Sequence, residues 1–169
     1  FALVIKEIRT LIPEVKIEVL TPDFEGKEKS IKMVIQAKPD VFAHNVETVP
    51  SLYEKARPKA DYKRSLNLLE IIKQENFSIY TKSGIMLGLG EKENEIIETM
   101  QDLIKVRCDI LTLGQYLSPS ENHLEVKEYI APEKFEYYKK IAQEMGFFHV
   151  MSGPFVRSSF HANIVFEKN

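Results

Sequence analysis

The chain has 169 residues, 44% of them hydrophobic and 28% charged, with a net charge of −2. That length and mix suit one domain with a substantial core, and the charge balance gives no electrostatic ground for binding nucleic acid or an anionic membrane. No apolar run approaches the roughly 20 residues that span a bilayer, and the lone cysteine, Cys108, excludes an intrachain disulfide framework and a cysteine-built metal site within these residues.

Leu3, Val4, Ile8 and Leu11 recur at helical spacing and Pro13 follows, which predicts a helix over 1–12. Residues 1–7 carry neither the basic start nor the cleavage site of a signal peptide. Phe1 already sits inside the helical pattern, so the chain is expected to be a portion of a longer protein. Alternation over 15–20 predicts a strand, and 21–26 a loop. A helix is expected over about 27–37, ended by Pro39, then a short strand at 40–45 and a helical turn around Leu52 and Tyr53. A stronger helix follows over 62–74, a strand over 77–87, an amphipathic helix over 93–107 and a strand over 109–116. After a polar loop, Pro132 and Glu133 open a helix that Gly146 stops, and 147–151 is the last strand. Alternation of strand and helix predicts an α/β fold with parallel strands over 1–169 as a single domain. Thr21, His44 and Asn45, Thr81 to Ser83, and Gly114 and Gln115 are expected near strand C-terminal ends, where both α/β barrels and open doubly wound sheets bind ligands.

Several groups carry chemistry. Asn45 and Glu47, two apart after a strand, can both address a ribose diol; alternatively they form an Asx turn and a solvated carboxylate. Gly84, Gly88 and Gly90 permit close approach of a ligand to backbone, but their spacing is neither a dinucleotide fingerprint nor a P-loop. Lys82 is a candidate cation for a carboxylate or an anionic cluster, or a lysine whose stem packs inside the barrel. Gln115 and Tyr116 either line a cavity or cap a strand end. Arg57 can fork onto a carboxylate or pair with Glu54 or Asp61. The four histidines have no metal-site spacing, so no zinc is expected, and Cys108 reads as a small buried hydrophobe. In Gly153-Pro154-Phe155-Val156-Arg157-Ser158-Ser159-Phe160-His161-Ala162, two adjacent serines on extended backbone point to opposite sides. Without further information this stretch is a turn whose serines cap backbone groups.

The strings at 39–50, 57–69, 81–91, 112–117 and 153–162 resemble the lipoyl synthases, within the radical S-adenosylmethionine enzymes. The resemblance runs from Val15 to Ala162 and implies a partial parallel (β/α) barrel of the radical SAM type with its N-terminal strands missing. It implies that Ser158 ligates an iron of an auxiliary cluster. It places Asn45 and Glu47 on the S-adenosylmethionine side, with Gly84 and Gly88 letting the adenine lie against the strand and Lys82 nearby. Phe160 stands where the family commonly has tyrosine, which keeps the ring and loses a hydroxyl. The implied cofactors are S-adenosylmethionine and two 4Fe-4S clusters whose cysteine ligands lie outside this chain, so this stretch alone is expected to hold no cluster and to be inactive. The implied reaction is sulfur insertion at C6 and C8 of an octanoyl chain on a carrier protein (a lipoyl domain or the glycine cleavage H protein), in the cytoplasm or a mitochondrial matrix. No nucleic-acid or membrane partner is implied. The alternative is a small-ligand-binding α/β barrel module without radical chemistry. A phosphate-handling barrel is poorly served by the Met151–Phe155 turn, its only candidate loop.

Overall fold

Five parallel strands pair in sequence order, β1 (Glu18–Leu20), β2 (Val41–Ala43), β3 (Tyr80–Leu87), β4 (Ile110–Gln115) and β5 (His149–Gly153), in a computed structural model that describes residues 1–159, 163 and 166. Six helices flank and connect them: α1 (Ala2–Leu11), α2 (Glu28–Gln36), α3 (Tyr53–Ala56), α4 (Tyr62–Glu75), α5 (Glu93–Lys105) and α6 (Pro132–Met145). Phe160, His161 and Ala162 of the C-terminal motif lie outside the described residues.

Strand alternation divides the side chains between two faces. Phe42, Ile85, Leu87, Leu111, Leu113 and Val150 pack against the inward stripes of the helices, including Ile31, Leu69, Met100 and Phe135. The opposite face begins, at the strand starts, with Val41, Tyr80, Ile110 and Met151, closed by Val156 and Phe166. The helices follow local rules. Asp61 caps α4 by accepting the Arg64 amide at 2.8 Å. Glu95 reaches back to the Lys92 amide at the start of α5. Gly146 ends α6 with φ of 100°, a left-handed turn that a side chain would strain.

Two expectations need correction. The first strand is three residues rather than six, because the Ile17 amide turns to the Asp40 carboxylate at 2.9 Å. Thr81, Lys82 and Ser83 lie at the start of β3, not at its C-terminal end, since the strand begins only at Tyr80. Lys82 is level with Ala43, the last residue of β2, and with Ile110, the first of β4. Its side chain is fully buried, and its ammonium donates to both oxygens of Glu18 at 2.9 and 3.0 Å. The two residues cross from β3 over β2 to β1 on one face and fix those strands in register.

The other cross-brace is His44. Its Nδ1 lies 2.8 Å from the Thr21 carbonyl, which can only accept, so Nδ1 carries a proton. Nε2, 2.9 Å from Ser65 Oγ, then accepts from that hydroxyl in the neutral ring. Burial depresses the His44 pKa, only partly opposed by the Thr21 hydrogen bond. The neutral ring ties the end of β1 to α4.

Two outcomes are expected. Breaking a buried pair by removing one partner costs about 3–5 kcal/mol, so Glu18→Gln should lower the urea midpoint sharply, whereas Glu18→Leu with Lys82→Met should recover much of the loss. Equal losses in the two proteins would show that the pair is not what matters. For His44, the unfolded chain takes up a proton near its ordinary pKa of 6.5, which the folded chain resists. Stability is therefore intact above that pH and falls as pH drops from there toward the depressed folded value. Between about pH 7.5 and about pH 5 the urea midpoint of wild type should fall more than that of His44→Gln; parallel curves would exclude His44 as the source.

Candidate functional site

The pocket of interest opens at the C-terminal ends of β2, β3 and β4, with a volume of about 420 Å³. Asn45, Glu47, Gly84, Thr112, Gly114 and Ser158 line it, joined at the rim by Leu20, Leu117 and Arg157. In a parallel sheet all strands end on the same side, so residues far apart in sequence converge there.

Asn45 and Glu47 are set by an irregular turn after β2. His44 turns toward α4, so Asn45, the next residue, turns to the pocket. Glu47 has φ of 67°, a left-handed conformation uncommon for a residue with a side chain. Strain of this kind persists where the surroundings over-determine it. Here the Glu47 amide donates to the Gly84 carbonyl at 2.9 Å and the Met86 amide donates to the Glu47 carbonyl at 2.7 Å, docking the turn beside β3. The Val46 amide is held by Ser83 Oγ at 3.1 Å. Arg57 braces the same turn from behind, donating to the carbonyls of Asn45 and Val46 and to the Tyr53 hydroxyl at 3.0–3.2 Å. Arg57 thus serves neither as a carboxylate fork in the pocket nor as a surface partner of Glu54 or Asp61.

The polar groups are arranged as acceptors. The Asn45 amide nitrogen donates to Glu47 Oε1 at 3.1 Å and to Ser158 Oγ at 2.5 Å. Asn45 Oδ1 is buried without a hydrogen-bond partner among the described residues. Burial raises the Glu47 carboxyl above the usual carboxylate range, opposed by the Asn45 hydrogen bond and the Arg57 charge. A ligand bearing O–H or N–H groups would satisfy the orphaned oxygen and favour the ionised carboxylate. Gly84 leaves the space for it: a Cβ there would stand 2.6 Å from Thr112 Oγ1 and 3.1 Å from Asn45 Oδ1. Hydroxyl or ammonium groups of a small ligand would fit such a cradle.

The C-terminal segment forms the lid over β4. The Val156 carbonyl lies directly over Gly114, where any side chain would collide with it. Arg157 donates to the carbonyls of Pro154 and Val156, pinning this crossing at the rim. Ser158 and Ser159 form a turn rather than extended backbone, and Ser158 faces the pocket while Ser159 is exposed.

The expected set is thus only partly brought together. Asn45, Glu47, Gly84 and Ser158 share the pocket. Lys82 lies outside the pocket lining, its charge taken by Glu18. Gly88 is also outside it; a side chain there would strike the Glu128 carbonyl and the Gln115 amide, so the glycine serves the packing of the 126–130 segment. Gln115 does both of the jobs considered for it, lining the pocket and holding the Glu128 carbonyl and the Ile130 amide. Thr112 was not singled out from the sequence, because a threonine inside a buried strand looks like any β-branched core residue. Gly114 gave a usable signal, since glycine within a strand often marks close approach of another backbone. Cys108 is buried, and burial pushes its thiol up to about 12, so it offers no thiolate. Among the described residues no three His, Cys, Asp or Glu side chains gather as a metal site, and no helix is long and apolar enough to cross a membrane.

Known proteins match this geometry. A profile of the Radical SAM superfamily matches residues 1–103. Lipoyl synthase of Caldanaerobacter subterraneus subsp. tengcongensis is 57% identical over 97% of this chain and 57% of its own length. Lipoyl synthase of Caldicellulosiruptor saccharolyticus is 56% identical over 96% of this chain and 57% of its own length. That of Rubrobacter xylanophilus is 55% identical over 96% of this chain and 51% of its own length. The chain therefore spans about half the length of the curated relatives it matches. Among solved structures, methylornithine synthase superposes with a TM-score of 0.66 at 14% identity, over 94% of this chain and 53% of that one. A domain of pyruvate-formate lyase-activating enzyme from Bacteroides vulgatus gives 0.66 at 11% identity, over 90% of this chain and 89% of that one, which supports the fold alone. The parallel sheet, the acceptor-lined pocket at its strand ends and these matches agree: the chain belongs to the radical SAM superfamily and is similar to the lipoyl synthases.

Proposed function

We propose that this chain is part of a lipoyl synthase, which inserts sulfur at C6 and C8 of a protein-bound octanoyl chain to form the lipoyl group. The observation that carries the reading is the convergence of Asn45, Glu47, Gly84 and Ser158 on one pocket, within a sequence 57% identical to a lipoyl synthase over 97% of its length. The carrier would be an octanoylated lipoyl domain or glycine cleavage H protein, and the compartment the cytoplasm or a mitochondrial matrix. When bound, S-adenosylmethionine and the iron–sulfur clusters supply the hydrogen abstraction and the sulfur.

The chain's own residues bind, orient and shield. Asn45 Oδ1 and the Glu47 carboxylate accept hydrogen bonds from the cofactor's hydroxyl and ammonium groups, and Gly84 gives its flat ring system access to β3. The 156–158 crossing narrows the mouth of the pocket. Ser158 presents a single oxygen to the pocket, a harder donor than a thiolate and so more readily displaced from iron. The described residues offer no cysteine beside it, so a cluster would need ligands from elsewhere in the full-length protein.

The test uses the full-length protein with reconstituted clusters, S-adenosylmethionine and an octanoylated carrier. Wild type should yield 5′-deoxyadenosine and lipoyl product; neither forming would leave the reading as a ligand-binding module without radical chemistry. Ser158→Ala should keep 5′-deoxyadenosine formation but lose lipoyl product by about tenfold or more, as ligand-shell changes at metal sites do. Ser158→Cys should retain the cluster and slow product, while Ser159→Ala should be mild. Loss in Ser159→Ala with sparing in Ser158→Ala would reverse the assignment.

A further inference from the structure

A primary carboxamide has two N–H donors and one carbonyl oxygen in a rigid plane. At Asn45 both donors are committed inside the protein, one to Glu47 Oε1 and one to Ser158 Oγ. That leaves Oδ1, buried and unpartnered, on the Gly84 side. The opposite amide orientation would set Oδ1 against the Glu47 carboxylate, so the network itself fixes which way the group points.

The two partners of Asn45 come from opposite parts of the chain. Glu47 sits on the left-handed turn docked to β3. Ser158 belongs to the segment that crosses Gly114, and the lack of a side chain at Gly114 sets the height of that crossing. Among the described residues Asn45 is the one side chain that donates a hydrogen bond to both. If Ser158 shifts, the amide plane loses one of its two pins and Oδ1 is no longer held toward Gly84. A ligand that binds Oδ1 and Glu47 in turn holds the amide in the orientation that captures Ser158.

We infer that Asn45, besides contacting the cofactor, couples the two: seating of the 156–158 segment strengthens cofactor binding in the pocket, and cofactor binding tightens the seat. This rests on the reading of the pocket as an S-adenosylmethionine site. Such coupling is reciprocal by thermodynamic necessity, so it can be read from either end.

The first arm measures S-adenosylmethionine affinity of the full-length holoenzyme by equilibrium dialysis. Ser158→Ala should weaken binding by roughly fivefold or more, within the range of ordinary site-to-site coupling, and Ser159→Ala should not. In an Asn45→Ala background, Ser158→Ala should have no further effect. An unchanged affinity in Ser158→Ala, or a fully additive double variant, overturns the inference while leaving the pocket reading in place. Failure of wild type to bind S-adenosylmethionine sinks the pocket reading itself, and the coupling with it. The second arm needs no variant: adding S-adenosylmethionine to wild type should slow amide hydrogen exchange across 156–159. Binding without added protection there overturns the coupling.

Discussion

The pocket depends on one close approach. The backbone at Val156 passes over β4 only because Gly114 has no side chain, and an added Cβ would meet the Val156 carbonyl. Arg157 and Ser158, the next two residues, take their positions from it. Arg157 folds back on the carbonyls that flank it, and Ser158 reaches Asn45 across 113 residues of sequence. Across the pocket a second missing side chain, at Gly84, gives the complementary space. The site is thus shaped as much by two absent methyl groups as by the polar groups that line it.

Toward the strand starts the Lys82–Glu18 pair lies in the same rows as the apolar Val41 and Ile110, and the acceptor-lined cavity opens at the strand ends. The charged pair is neutralised internally, so it contributes register rather than a binding charge. The polar character of the cavity then comes from uncommitted acceptors, Asn45 Oδ1 and the Glu47 carboxylate, supported from behind by Arg57. Arg57 also stabilises the ionised form of Glu47 without touching it, opposing the effect of burial.

Much of this was legible in the sequence, and the failures have physical causes. The strand–helix alternation, Pro132 and Gly146 at the two ends of α6 and the turn residues located the elements within a few residues. Asn45 and Glu47 were legible as candidates because they follow a strand directly, whereas Ser158 stood out only through the resemblance of its string to the lipoyl synthases. Lys82 and Gly88 were misplaced for one reason. Register decides the height of a residue in a sheet, and register is set by neighbouring strands that a single sequence does not display. Lys82 is opposite Ala43 and Ile110, near the start of β3, and Gly88 has already left the strand to pack against Gln115. The argument from extended backbone allowed only one of the two serines to face the pocket and the resemblance chose Ser158; Ser158 does line the pocket and Ser159 is exposed, although the backbone there is a turn.

The sequential strand order has a consequence for how the molecule assembles. Among the described residues each strand pairs with its immediate predecessor and successor in the chain, so the sheet can grow by adding one strand–helix unit at a time. The segment that crosses Gly114 has no place to land until β4 and β5 are paired. Ser158 is therefore delivered after the scaffold is complete. A chain that stalls before that last step has nearly all of its packed core and none of its finished pocket, so a probe of secondary structure would report folding before any ligand could.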